Sequence, residues 1–182
     1  MNANLFDSVR RISEEAPERI ALIHRGNTLT YGELRKHVER RASELRRRGI
    51  GKGDRVVLFV PMGICLYEIL LAVFAIGAVA VFLDAWADPK RLDYAAELAE
   101  AKAYVAIPKA YLLLLRSRAL RRIPVRLLPG FGLRRDGAGF CPAECTSDDP
   151  ALITFTTGST GIPKAALRTC GFLWAQHVAL TA

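Results

Sequence analysis

Apolar positions change their spacing every 10 to 20 residues along the chain, and each change marks an element. Leu5 to Ala16 reads as a helix that stops before Pro17. Ile20 to His24 and Thr28 to Thr30 read as short strands around the turn Arg25-Gly26-Asn27. Thr30 followed by Glu33 is a capping-box signature, and it opens a helix that runs to Arg48 and ends at Gly49. Leu34, Val38, Ala42 and Leu45 recur on one face of that helix, which places Arg40, Arg41, Arg47 and Arg48 largely on the opposite, solvated face. Arg55 to Val60 predicts a buried strand, Ile64 to Ile76 a buried helix broken at Gly77, and Val79 to Leu83 a second strand. Arg91 to Ala101 reads as a helix, Tyr104 to Ile107 as a strand, Lys109 to Leu120 as a helix and Val125 to Leu128 as a strand. Pro129 to Pro150 is an irregular connection, Ala151 to Phe155 a strand, and a last helix begins near Gly171. Strands alternating with helices imply an α/β fold, helices layered on a largely parallel sheet.

Composition narrows the class. The chain has 182 residues, 51% hydrophobic and 24% charged, which suits one well-buried domain. A net charge of +8 falls mainly in two blocks, Arg35 to Arg55 and Lys109 to Arg135. The stretch Arg35 to Arg48 has no aromatic residue among its cations, which argues against nucleic acid as a partner and leaves attraction for an anionic substrate. Ile69 to Leu83 carries no charge over 15 residues, short of the roughly 18 to 20 that a transmembrane helix needs, so no membrane span is expected. The polar N-terminus lacks the apolar core of a secretory signal, and the four cysteines, at 65, 141, 145 and 170, therefore fit a reducing cytoplasm. Cys141 and Cys145 stand four apart without a second pair or a nearby histidine, so free thiols are expected and no metal site.

One stretch is chemically unusual. Thr156 to Lys164 packs four hydroxyls, two glycines, a proline and a lysine into nine positions directly after an apolar strand. Gly158 and Gly161 permit backbone conformations in which successive N–H groups form a cradle for anions. Thr156, Thr157, Ser159 and Thr160 add hydroxyl donors, and Lys164 adds a point charge for a phosphate oxygen. A loop beyond the carboxyl end of a strand is also where ligands gather in such sheets. A phosphate cradle and a polar surface turn both satisfy this composition. The spacing differs from the common P-loop, whose glycines stand five apart with lysine directly after the second.

Phe155-Thr156-Thr157-Gly158-Ser159-Thr160-Gly161-Ile162-Pro163-Lys164 resembles the phosphate-loop signature of the acyl-adenylate-forming superfamily, which includes acyl-CoA synthetases, peptide-synthetase adenylation domains and luciferases. Leu29-Thr30-Tyr31-Gly32-Glu33-Leu34 is similar to the early "TYxEL" segment of that family, and Gly77 to Asp84 to its "GAVxVPLD" segment. The resemblance runs from about Leu5 to Ala182. Phe82 stands where a proline is frequent, Ala165 where a glycine follows the lysine, and Cys170 where many members have a histidine bordering the acyl pocket or its gate.

The resemblance implies activation of a small-molecule carboxylate by MgATP as an acyl-adenylate, followed by transfer to CoA or a carrier thiol. Thr156, Thr157, Gly158, Ser159, Thr160, Gly161 and Lys164 would hold the ATP phosphates. The family's adenine-contacting segment, magnesium-holding glutamate, ribose-binding aspartate and lid lysine have no counterpart here, so magnesium ligands are expected downstream and no catalytic residue is identifiable. Residues 1–182 are thus expected to be the N-terminal part of an AMP-binding domain, truncated after the phosphate loop and inactive alone. A fatty or other hydrophobic acid is the substrate class that the family suggests. The alternatives are a non-catalytic nucleotide-binding or interaction remnant and a membrane-associated protein.

Overall fold

Thr30 begins the helical layer as its spacing predicts: its hydroxyl accepts from the Glu33 N–H, and the Glu33 carboxylate accepts from the Thr30 N–H at 2.9 Å. The computed structural model describes residues 2–83, 89–133, 139–157 and 163–181. In chain order the elements are α1 (Phe6–Glu15), β1 (Ile20–His24), β2 (Asn27–Thr30), α2 (Tyr31–Arg47), β3 (Arg55–Phe59), α3 (Ile64–Ala75), β4 (Val79–Phe82), α4 (Pro89–Ala99) and β5 (Ala103–Ala106). A 3-10 segment (Pro108–Leu115), α5 (Arg118–Arg122), β6 (Val125–Leu127), β7 (Pro150–Thr157), β8 (Pro163–Thr169) and α6 (Cys170–Thr181) complete it.

β1 and β2 form a small antiparallel pair, and the other six strands form one sheet in the order β6-β5-β3-β4-β7-β8. Every neighbour pair in that sheet is parallel except β7 with β8. Side chains alternate between the faces, so β3 sends Val56 and Leu58 into a core shared with α1, α2 and α3, and Val57 into a second core with α4 and α5. Tyr104 lies wholly inside the second core, where burial pushes its hydroxyl well above its ordinary range. That hydroxyl donates to the Ala110 carbonyl at 2.7 Å, tying β5 to the 3-10 segment that follows. α3 ends at Gly77, whose φ of +71° lies in the left-handed region and lets the chain turn at once into β4.

Three expectations are corrected. Lys109 to Leu120 is not one helix, because Ser117 adopts an extended backbone and caps a new one, accepting from the Leu120 N–H while its hydroxyl donates to Asp93 at 2.7 Å. Pro163–Thr169, expected to be loop and connection, is the strand β8. Arg41 is not on a solvated face: it is 1% exposed and reaches Glu68 of α3, itself 4% exposed, through Nε at 3.1 Å and Nη2 at 2.6 Å.

The Arg41–Glu68 pair joins α2 to α3 through their apolar interface. His37 Nδ1 lies 2.8 Å from the other Glu68 oxygen. Arg41 Nη1 donates to the carbonyls of Pro129 and Phe131, and the guanidinium lies 5.3 Å from the Phe131 ring centroid. One buried cation thus holds a helix and the connection after β6. Desolvating two charges costs several kcal/mol each, which only a fully bonded geometry offsets. Arg41→Ala should therefore lower stability by about 3–5 kcal/mol, since it leaves the Glu68 carboxylate uncompensated, whereas Arg41→Met combined with Glu68→Leu should regain at least half of that loss. Urea unfolding followed by circular dichroism checks both, and equal stabilities for the wild type and Arg41→Ala would contradict the analysis.

Candidate functional site

β7 occupies the place in the sheet where a strand can project beyond its neighbour. Leu152, Ile153 and Thr154 pair with Ala80, Val81 and Phe82 of β4, and β4 ends there while β7 continues to Thr157. β8 returns antiparallel beside it, with Phe155 opposite Ala165, Thr156 opposite Lys164 and Thr157 opposite Pro163. The result is an antiparallel pair whose outgoing strand, β7, continues past the end of β4 at the carboxyl edge of the parallel sheet, where ligands bind in α/β folds.

This hairpin carries the predicted loop. Thr156 and Thr157 lie on its outgoing strand and exposed Lys164 on its returning strand, directly across from Thr156. Gly158, Ser159, Thr160 and Gly161 join these strands in sequence and lie outside the described residues. A reading of Lys164 as the end of a loop is thereby refined: the lysine is a strand residue held in register by the ladder.

Fixed contacts hold the base of the hairpin. The Asp149 carbonyl accepts from the Cys170 N–H at 2.9 Å, and the Ser147 carbonyl accepts from the Gly171 N–H at 2.8 Å. A Cβ at Gly171 would come within 2.9 Å of Ser147 Cβ, so only glycine fits this approach without a shift. The Asp149 carboxylate receives Lys52 Nζ at 2.6 Å and the Thr146 N–H at 2.7 Å, and these bonds hold its carboxyl below the usual carboxylate range. Farther along, Arg168 donates to the Thr154 hydroxyl at 2.7 Å across the two strands.

Cys170 opens α6 and packs inward against Cys145 and Ala151. Burial pushes its thiol up to about 11, and the neighbouring Cys145 thiol, also raised by burial, adds to the effect. Among the described residues no group of three or more His, Cys, Asp and Glu side chains is placed to hold a metal ion. No helix among them is long and apolar enough to cross a membrane, and α3 has 12 residues.

A second feature of the same sheet edge was not anticipated. Phe59, Val60 and Pro61 at the end of β3, Phe82 and Leu83 at the end of β4, and Ile107 after β5 line an apolar cleft of about 540 Å³. The chain goes from β3 to β4 on one side and later to β5 and β6 on the other, so the cleft lies at the divergence of connections where such sheets take ligands. The signal available in the sequence was the proline just beyond two of the strands, Pro61 and Pro108, which marks their carboxyl ends.

The AMP-binding enzyme family matches residues 9–181. Olefin beta-lactone synthetase of Xanthomonas campestris pv. campestris is 32% identical over 190 aligned positions, which cover 90% of this chain and 34% of that protein. Feruloyl-CoA synthase of an Amycolatopsis species is 34% identical over 91% of this chain and 33% of its own. The solved structure of ATP-bound MatB from Rhodopseudomonas palustris superposes with a TM-score of 0.82 at 27% identity, covering 99% of this chain and 37% of that one. The chain belongs to the AMP-binding, adenylate-forming enzymes, and it spans about a third of the length of the curated relatives it matches.

The buried thiols give a direct check of the hairpin base. At pH 8 a thiol near 11 is about 0.1% thiolate, against about 10% at the ordinary value of 9.0. Iodoacetamide at pH 8 should therefore modify exposed Cys141 at least about a hundredfold faster than Cys170, as read by peptide mass spectrometry. Comparable rates at the two positions would show that Cys170 is not enclosed.

Proposed function

We propose that this chain supplies the phosphate-binding part of an enzyme that activates a carboxylic acid with ATP. The observation that carries the reading is the run Phe155 to Lys164, which leaves the sheet on β7 where that strand continues past β4 and re-enters it on β8. In the proposed reaction a carboxylate oxygen attacks the α-phosphorus of ATP and the bond to the β-phosphate breaks. Acyl-adenylate forms, and pyrophosphate leaves with the electron pair.

The work of these residues is electrostatic. Backbone N–H groups at Gly158 and Gly161, the hydroxyls of Thr156, Thr157, Ser159 and Thr160, and the Lys164 ammonium would neutralise charge that grows on the departing pyrophosphate. Preorganisation matters because donors already fixed by a ladder cost no reorganisation as the bond breaks. The pairing of Thr156 with Lys164 supports that role, since it sets the backbones of the two residues side by side where the chain enters and leaves the loop.

Transfer to CoA or a carrier thiol is the proposed second step, with a fatty or other hydrophobic acid as the substrate class and the cytoplasm as the setting. Magnesium enters with ATP, and no described residue is assigned to it. Feruloyl-CoA synthase among the relatives and ATP in the MatB structure support a thiol acceptor and this nucleotide. Because the chain covers about a third of its curated relatives, the adenylation activity is proposed for a polypeptide that continues it with the remaining segments. A nucleotide-binding remnant without chemistry is the second reading.

ATP–pyrophosphate exchange separates the two. The 182-residue chain should give no exchange above background with any carboxylate. In a polypeptide that continues the chain, Lys164→Ala should slow single-turnover adenylation about ten- to a hundredfold at saturating ATP, because a charge-assisted contact to phosphate contributes about 1.5–3 kcal/mol. Lys36→Ala, at an exposed position on α2, should change the rate less than about twofold. Equal rates for all three proteins would reduce the hairpin tip to a surface turn.

A further inference from the structure

A surface at the opposite edge of the sheet has no part in the reading above. Between Glu100 and Asp136 the sequence holds nine lysines and arginines and no acidic residue. The middle of this stretch folds into the 3-10 segment, α5 and β6, and β6 is the outermost strand at its end of the sheet. Arg126 on β6 donates from Nη2 to the Arg121 carbonyl, and its charge acts on the Tyr111 hydroxyl, so the three elements form one continuous face.

Two properties mark this face. On α2, Arg35 pairs with Glu14 and Glu39, and Arg47 and Arg48 pair with Glu44. Arg116, Arg121 and Arg126, in contrast, make no ion pair among the described residues. Their charge is therefore not cancelled at short range. Large aliphatic side chains also stand open beside them: Leu112 is 61% exposed, Leu115 76% and Leu128 54%. Leu112 and Leu115 stand three apart on the 3-10 segment and so share one side of it, which adds an open apolar strip to the face.

We infer that this edge, formed by the 3-10 segment, α5 and β6, docks on an anionic lipid bilayer as a peripheral surface contact. Leucines entering the acyl boundary and guanidinium groups at headgroup level are the combination that holds an amphipathic surface in the interfacial plane. Nucleic acid would call for aromatic or amide readers, whereas the open residues here are aliphatic and cationic. A soluble phosphorylated ligand would use the cations but leave the leucines in water. The contact spans nothing, in agreement with helices too short or too polar to cross a bilayer among the described residues. The apolar cleft at the carboxyl ends of β3, β4 and β5 shares Lys109, Ala110 and Leu113 with the same 3-10 segment, so it opens next to the docked face.

Flotation of the 182-residue chain with vesicles tests the proposal, because aggregated protein sinks and only lipid-bound protein rises. The chain should float with phosphatidylcholine vesicles containing about a quarter phosphatidylglycerol and stay below with phosphatidylcholine alone. Lys109→Glu/Arg116→Glu/Arg121→Glu should lower the bound fraction at least about tenfold. Arg11→Glu/Arg19→Glu/Arg25→Glu, an equal change in net charge at exposed positions elsewhere, should lower it less than about threefold. Leu112→Ser/Leu115→Ser should also lose flotation with an unchanged far-ultraviolet circular dichroism spectrum. Equal losses in the two triple variants would assign binding to net charge and overturn the inference. So would flotation with neutral vesicles, flotation unchanged by the leucine substitutions, or release by pyrophosphate at matched ionic strength, which would assign the cations to a soluble phosphoryl ligand.

Discussion

A parallel sheet cannot leave either face in water, because every strand in it arrives through a crossover that must lie on one face or the other. In this chain that constraint divides the strand residues into two sets. Val56, Leu58, Ala80, Ala103 and Val105 serve the core under α1, α2 and α3, and Val57, Val79, Val81, Tyr104 and Ala106 serve the core under α4 and α5. Both faces are consumed by packing. Chemistry is left with the ends of the strands, and the end of β7 and the apolar cleft both lie at the carboxyl ends.

Two features within these layers have different consequences. Arg41 and Glu68 place a bonded ion pair inside the helical layer, where it fixes how α2 sits on α3 and where the connection after β6 runs. In the six-stranded sheet β8 runs antiparallel to β7, so pairing these two strands needs no crossover. A short loop between two ladder-bound strands has its ends fixed by the sheet. The ladder thus sets the Thr156 and Lys164 backbones opposite each other.

Much of the fold was legible because its signals are local. The capping box at Thr30 and Glu33, the stop at Gly77 and the continuous apolar runs of β3 and β4 each depend on neighbours in sequence, and each element appears within a residue or two of its predicted bounds. Arg41 was misplaced because periodicity assigns a face but not a partner, and Glu68 is 27 residues away. Pro163–Thr169 escaped notice as a strand because it opens on proline and alternates weakly, so its pairing with β7 decides its conformation. The site divides in the same way. Its donors were legible as composition, whereas the opposition of Thr156 and Lys164 is a property of register. The cleft was legible only as the prolines beyond two strand ends, Pro61 and Pro108, since Phe59, Phe82 and Ile107 come together from three separate strands.

The central claim is that the hairpin between β7 and β8 is the phosphate-holding element of this chain. Amide chemical shifts of the nitrogen-15-labelled protein, recorded while magnesium pyrophosphate is added, test it residue by residue. The account predicts saturable shifts concentrated at Thr156 to Lys164, with the amides around Leu58 to Pro61 and Ile107 to Leu113 unmoved. Shifts centred on those cleft residues, or none along the hairpin at pyrophosphate concentrations that move amides elsewhere, would contradict it.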